Sequence, residues 1–144
     1  MAGKVPVTAE AAAGPPGRTM DYVLSLVKLP VRDVERAAAF YRDVLGMTQV
    51  FVAAEYGWAQ FATGSVPLAL YVPGMGGGDG EPGGSAGFHL ALGGDAFETL
   101  AERVRAAEAL VGGQVHRGAD GTVFIDARDP DGNVIKVVRL ASPA

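Results

Sequence analysis

A short list of side chains limits the chemistry open to this chain. Its 144 residues include 2 histidines and no cysteine, which excludes disulfides, thiolate metal sites and a cysteine nucleophile together. His89 lies in the strand-like run Gly87-Phe88-His89-Leu90-Ala91-Leu92. An imidazole titrates near neutrality, so it can act as a general acid or base, or serve as a ligand contact. Lys136 can hold an anionic or carbonyl group of a bound molecule. With a one-residue bulge in the last hairpin it would lie opposite Asp126, where a plain ion pair is an equal option. His116, beside Arg117 on an expected edge strand, reads as an exposed residue. The 12 Lys+Arg against 16 Asp+Glu give a net charge of −4 with no basic cluster, which argues against a nucleic-acid partner. No apolar run approaches the roughly 20 residues that cross a bilayer, so no membrane partner is expected either. Thiol-free composition is compatible with a cytoplasmic location, which is the expectation.

These residues need elements to hold them. Residues 1–20 carry an alanine tract and Pro15-Pro16-Gly17 and read as a disordered tail. A signal peptide fits less well, because the apolar stretch is short and broken by Glu10. Residues 22–31 are mostly apolar and read as a strand. Asp33 reads as the N-cap of a helix over 34–45, with Val34, Ala37, Ala38, Tyr41, Val44 and Leu45 on one stripe. Gly46 ends it. Strands are expected at 48–53, 57–62 and 67–72. Glycine is 21 of 144 residues, about twice the usual share, and seven of them fall in residues 74–84. A phosphate-cradling loop would need a helix straight after it. Residues 85–92 read as a strand instead, so the segment reads as a flexible linker.

The pattern then recurs. After the strand at 87–92, Asp95 and Glu98 have capping-box spacing. A helix is expected over 96–110, with Phe97, Leu100, Val104, Ala107 and Val111 on one face and Gly112-Gly113 as its stop. Strands follow at 114–117, 122–127 and 133–140, with Asp129-Pro130-Asp131-Gly132 as the turn between the last two. The organisation is therefore a first βαβββ module over 21–73, a Gly-rich linker over 74–84 and a second βαβββ module over 85–140. Neither half is large enough to close a core alone, so the two form one domain over 21–140.

Two motif sets in this repeat carry a family resemblance. The first is Leu29-Pro30-Val31-Arg32-Asp33-Val34 followed by Phe40-Tyr41-Arg42-Asp43-Val44-Leu45-Gly46. The second is Gly87-Phe88-His89-Leu90-Ala91-Leu92 with Asp129-Pro130-Asp131-Gly132-Asn133-Val134-Ile135. Over 22–140 the chain resembles the vicinal oxygen chelate superfamily, which includes glyoxalase I, extradiol dioxygenases, fosfomycin-resistance enzymes and bleomycin-resistance proteins. The resemblance implies an α+β fold of two tandem βαβββ modules, with curved mixed sheets around a cavity and helices on the outer face. Metal enzymes of the superfamily place four ligands on those strands. Carried over, the positions are Leu26, Ala69, His89 and Lys136, the last where the metal enzymes have a glutamate. A divalent metal needs three or more lone-pair donors, and here only His89 offers one.

The resemblance thus implies the metal-less, bleomycin-resistance-like branch, with no metal and no cofactor. The expected function is sequestration of a hydrophobic or aromatic natural product by a homodimer, an antibiotic-resistance role. The alternative is a metal-independent isomerase, lyase or cyclase using His89 as general acid or base. Strand parity extends the inward ligand positions to Leu24, Lys28, Pro67, Tyr71, Ala91, Val134 and Val138, and more loosely to Trp58, Gln60, Phe124 and Asp126. From these, the expected ligand-binding residues are Leu26, Lys28, Trp58, Gln60, Tyr71, His89, Phe124, Asp126 and Lys136. Trp58, Tyr71 and Phe124 can sandwich a planar ligand, each stack adding about 0.5–1.5 kcal/mol beyond area burial, or they can merely fill the barrel. The opposite parity (Val27, Leu29, Phe61, Leu68, Leu70, Phe88, Leu90, Ile135 and Val137) is expected to pack on the helices. The linker leaves open whether modules pair within a chain or between chains.

Overall fold

Period-two alternation of apolar residues resolves into two separate sheets. The computed structural model describes residues 17–141; the first 16 residues of the expected tail lie outside that range. The first half forms a sheet from β1 (Val27–Pro30), β2 (Thr48–Ala53), β3 (Trp58–Ala62) and β4 (Leu68–Tyr71), in the order β1-β4-β3-β2. The second half repeats it with β5 (Ser85–Leu92), β6 (His116–Arg117), β7 (Val123–Arg128) and β8 (Val134–Arg139), in the order β5-β8-β7-β6. In each half the first and last strands are parallel and the other pairs antiparallel. A parallel pair needs a long crossover, and a helix starts it each time: α1 (Val34–Ala39) after β1 and α2 (Gly94–Ala106) after β5. This is the expected α+β pair of βαβββ modules.

Several element ends differ from the sequence expectation, each for a local reason. The strand expected over 22–31 is paired only over Val27–Pro30. Its partner β4 begins at Leu68, and Val27 N donates to Pro67 O at 3.1 Å. Residues before Val27 thus run past the end of β4, and Tyr22, Val23 and Leu24 are exposed. Asp33 does cap α1, its Oδ1 accepting from Glu35 N at 3.0 Å and Arg36 N at 3.1 Å. The helix is not α throughout, however. It widens to π geometry over Phe40–Val44, where Leu45 N reaches Phe40 O at 3.1 Å.

The second helix starts earlier than expected. Gly93 is its N-cap without a side-chain bond, and Asp95 sits inside the first turn, where it complements the helix dipole rather than capping. It also ends at Ala106, because Glu108 takes φ 57° and turns the chain away. Ala107 is left exposed, and Leu110 bridges to Ala127 instead.

The residues of opposite parity pack as expected. Leu29, Phe61, Leu68, Leu70, Ile135 and Val137 join Ala37, Tyr41, Phe97, Leu100 and Val104 in one buried cluster, with Val27, Phe88 and Leu90 half-buried against it. Both modules therefore share one core, and the other face of each sheet carries no helix.

A polar joint fixes the modules to one another. The β7–β8 turn closes with Gly132 N on Asp129 O at 3.0 Å, and the Asp129 carboxylate is buried beneath it. Its Oδ1 accepts from the backbone of Asp131 and Asn133, both at 2.9 Å. Its Oδ2 accepts from Tyr41 Oη at 2.8 Å and Asn133 Nδ2 at 3.0 Å. Asn133 Nδ2 also donates to Pro30 O at 2.8 Å, and Asn133 Oδ1 accepts from Gly83 N at 2.7 Å. Asp131 Oδ1 accepts from Arg32 N at 3.0 Å and from the Arg36 guanidinium at 3.2 Å.

Two outcomes follow from this joint. Asn133→Ala removes three side-chain bonds and leaves the buried Asp129 carboxylate short of a partner, a loss of about 1–3 kcal/mol. Thermal unfolding of the variant should therefore show a midpoint lower by roughly 10 °C. Tyr41 is fully buried, and burial first, then the adjacent Asp129 charge, pushes its hydroxyl pKa far above the ordinary value of 10.0. The unfolded chain releases this proton near its ordinary pKa of about 10 and the folded chain does not. Stability from Tyr41 is thus complete below about pH 10 and declines above it. Denaturant titrations from pH 8 to 11 should show that decline in the wild type and a shallower one in Tyr41→Phe.

Candidate functional site

The helix-free face of the first module collects Lys28, Trp58, Gln60, Ala69 and Tyr71. Cross-strand register sets Trp58 beside Tyr71, and sets both Gln60 and Lys28 beside Ala69. Trp58 Nε1 donates to Gln60 Oε1 at 3.3 Å, and Lys28 Nζ lies 4.8 Å from the Tyr71 ring centroid. The linker expected to be flexible lies on this face. Lys28 Nζ donates to Gly77 O, and Tyr71 Oη donates to Asp79 O, each at 2.5 Å. Leu26 is half-buried just before β1, and the register gives the position opposite Ala69 to Lys28.

The second module presents His89, Phe124, Asp126 and Lys136 on the equivalent face. Lys136 is the register partner of both His89 and Asp126. Its Nζ is 3.3 Å from Asp126 Oδ1 and 3.6 Å from the Phe124 ring centroid, so the ammonium is held by a carboxylate and an aromatic face at once. The expected bulge is not needed, because pairing runs evenly from Phe124↔Val138 to Arg128↔Val134. His116 is half-buried rather than exposed. Its ring stacks on Phe124 at 5.2 Å between centroids and 27° between planes. His89 is exposed.

Within one chain the expected aromatic sandwich is split. Trp58 and Tyr71 share the first sheet, whereas Phe124 is on the second and stacks on His116. A crevice of about 530 Å³ opens elsewhere, between the modules, with Val27, Met47, Leu68, Phe88 and Leu90 in its wall. Of the expected ligand-binding residues only His89 reaches its lining. The crevice lining also includes Thr48, Thr63, Ser65, Phe88 and His89, whereas the expected Trp58, Tyr71, Phe124 and Lys136 lie on the two helix-free faces.

The four side chains at the metal-ligand positions do not suit a divalent cation. Leu26 and Ala69 have no lone pairs, and Lys136 brings a positive charge already paired with Asp126. Among the described residues no three His, Asp or Glu side chains gather as a ligand set. Two contributors escaped sequence reasoning. One is His116, which only the β6–β7 register brings over Phe124. The other is the pair of linker carbonyls of Gly77 and Asp79, for which glycine content gave no signal because it suits a free tether equally well.

Comparison with known proteins agrees with this architecture. A family model for the Glyoxalase/Bleomycin resistance protein/Dioxygenase superfamily matches residues 19–137. A solved member of that superfamily from Sphaerobacter thermophilus is 21% identical with a TM-score of 0.66, over 84% of this chain and 98% of its own. A lactoylglutathione lyase from Agrobacterium tumefaciens is 23% identical with a TM-score of 0.64, over 87% of this chain and 95% of its own. A protein from the mobile metagenome of V. pseudocholerae is 23% identical with a TM-score of 0.61, over 87% and 99%. No curated protein matches. Identities this low bear on the fold alone. With a family model matching most of its length and the paired βαβββ fold beneath it, the chain belongs to the Glyoxalase/Bleomycin resistance protein/Dioxygenase superfamily.

Proposed function

We propose that this protein binds and sequesters a hydrophobic or aromatic natural product without a metal, acting in the cytoplasm as a homodimer of antibiotic-resistance type. The observation that carries this reading is the placement of Lys136. An ammonium, 3.3 Å from Asp126 and 3.6 Å over Phe124, stands where metal enzymes of the superfamily have a glutamate. A cation there repels a divalent ion but attracts the π-face or acceptor oxygen of an organic ligand. The aromatics around it supply apolar contact.

Unused sheet edges support the dimer. Among the described residues β1 pairs only with β4, and the eight-residue β5 only with β8. Exposed Met20, Tyr22, Val23 and Leu24 run just ahead of β1. Unpaired edges beside apolar surface favour association, and a second copy would bring the two helix-free faces together. Among the described residues no helix is long and apolar enough to cross a membrane.

A second reading has one observation in its favour. His89, Lys136 and Asp126 form a row across three strands, which suits proton transfer on a bound metabolite. Turnover of a compound by the wild type, lost in His89→Ala, would establish the enzyme and end the sequestration reading.

Sedimentation velocity at micromolar concentration should give a dimer, and a monomer would remove the shared-cleft model. Purified protein should contain well under one Ni, Zn, Fe or Mn per chain by elemental analysis. Stoichiometric metal, lost in His89→Ala, would sink the metal-free reading. Screening planar aromatic compounds by thermal shift should find binders, since a ligand at a hundredfold excess over Kd adds about 2.7 kcal/mol. Phe124→Ala should weaken such a binder roughly tenfold, while His89→Ala should leave it nearly unchanged.

A further inference from the structure

Residues 74–84 contain no strand or helix, yet they are fastened to the first module's helix-free face at two of its polar donors, Lys28 and Tyr71. Lys28 Nζ is satisfied by Gly77 O and Tyr71 Oη by Asp79 O. The contact is close enough that a side chain would crowd the sheet. A Cβ on Gly77 would lie 3.0 Å from the Trp58 ring and 3.1 Å from Tyr71 Cβ, and one on Gly80 would lie 2.7 Å from Tyr71 Oη. Beneath this cover Ala69 has 0% exposure and Tyr71 5%, although both belong to the open side of the sheet. In the second module the same side leaves His89 exposed. The covering segment forms one internal turn, Gly74 N to Gly78 O at 3.0 Å. Its glycines gain more backbone freedom on release than any other residue would.

We propose that residues 74–84 are a displaceable strap that closes a carboxylate-binding subsite on the first module. The carbonyl oxygens of Gly77 and Asp79 stand where the two oxygens of an aromatic carboxylate bind. An ammonium and a hydroxyl turned to one region call for oxygen acceptors. A carboxylate serves both and neutralises Lys28, which a backbone carbonyl does not. The ligand's ring takes the Trp58 surface now covered by Gly77. Strap and ligand compete for the same donors, so binding opens the strap. The ligand half of this proposal rests on the small-molecule-binding reading above, whereas the latch half is independent of it.

Hydrogen–deuterium exchange of the Gly74 and Met75 amides, which donate to Gly78 O and Val72 O, tests the latch in the ligand-free full chain. Lys28→Met and Tyr71→Phe should each speed exchange there, by about tenfold for the charged donor. Exchange equal to wild type in both variants would overturn the strap. Benzoate, titrated by calorimetry, tests the subsite. It should speed exchange in the same segment of the wild type and bind Lys28→Met at least tenfold more weakly. It should bind Gly77→Val about tenfold more tightly, since the side chain crowds the Trp58 ring and the closed strap competes less. Benzoate that binds neither wild type nor Gly77→Val would overturn the carboxylate assignment. The thermal-shift screen and its Phe124→Ala control would still decide small-molecule binding on their own.

Discussion

The buried carboxylate of Asp129 is the constraint on which the rest of the molecule depends. A buried charge is costly unless its lone pairs are filled, and here the fillers come from three places. They are the β7–β8 turn itself, the Asn133 amide and the Tyr41 hydroxyl of the first module. The carboxylate therefore does more than close a turn. It holds the second module's last hairpin against the π-helical stretch of the first, and Asn133 extends the joint to Pro30 and Gly83. Lys28 is two residues from Pro30 and Lys136 three from Asn133. The cations of both helix-free faces thus hang from one hydrogen-bonded joint, and so does the end of residues 74–84.

How much of this was legible in the sequence follows from which forces are local. Strand parity was, because a pleated strand with one buried face leaves no choice of side: Leu29, Phe61, Leu68 and Ile135 are all in the core and Lys28, Gln60 and Lys136 are not. The Asp33 cap and the Asp129 turn were also legible, since each acts over a few residues. Strand ends were not. Tyr22 to Leu24 have strand-like residue types, but pairing depends on a partner forty residues away that starts only at Leu68. Nor was the end of α2, where Glu108 adopts a left-handed conformation without being glycine.

At the site the same division holds. The residue sets on each face could be derived, but their neighbours across space could not. His116 carried every sign of a surface residue until the short β6 strand placed it on Phe124. The linker was read from composition, which reports backbone freedom and not where that freedom is spent. Glycines are equally at home in a loose tether and in a segment pressed flat on an indole ring. The bonds from Lys28 and Tyr71 to the linker carbonyls, with the Cβ distances at Gly77 and Gly80, distinguish the two.

The pseudo-symmetry of the modules explains why, among the described residues, the first face is covered by residues 74–84 and the second is not. In the first, the row across the sheet is Gln60, Ala69, Lys28; in the second it is Asp126, Lys136, His89. The middle position decides the outcome. Alanine leaves a shallow floor between two donors, and a backbone without side chains can descend onto it. Lysine at the same place fills that floor and turns its charge to Asp126 and Phe124, so no chain segment could settle there without burying an ammonium. One repeat therefore offers a covered face whose donors are held by backbone carbonyls, and the other an open face with its own cation already in place. Two faces of such different character would, in the proposed dimer, suit a ligand with an acidic end and an aromatic body better than one of uniform polarity.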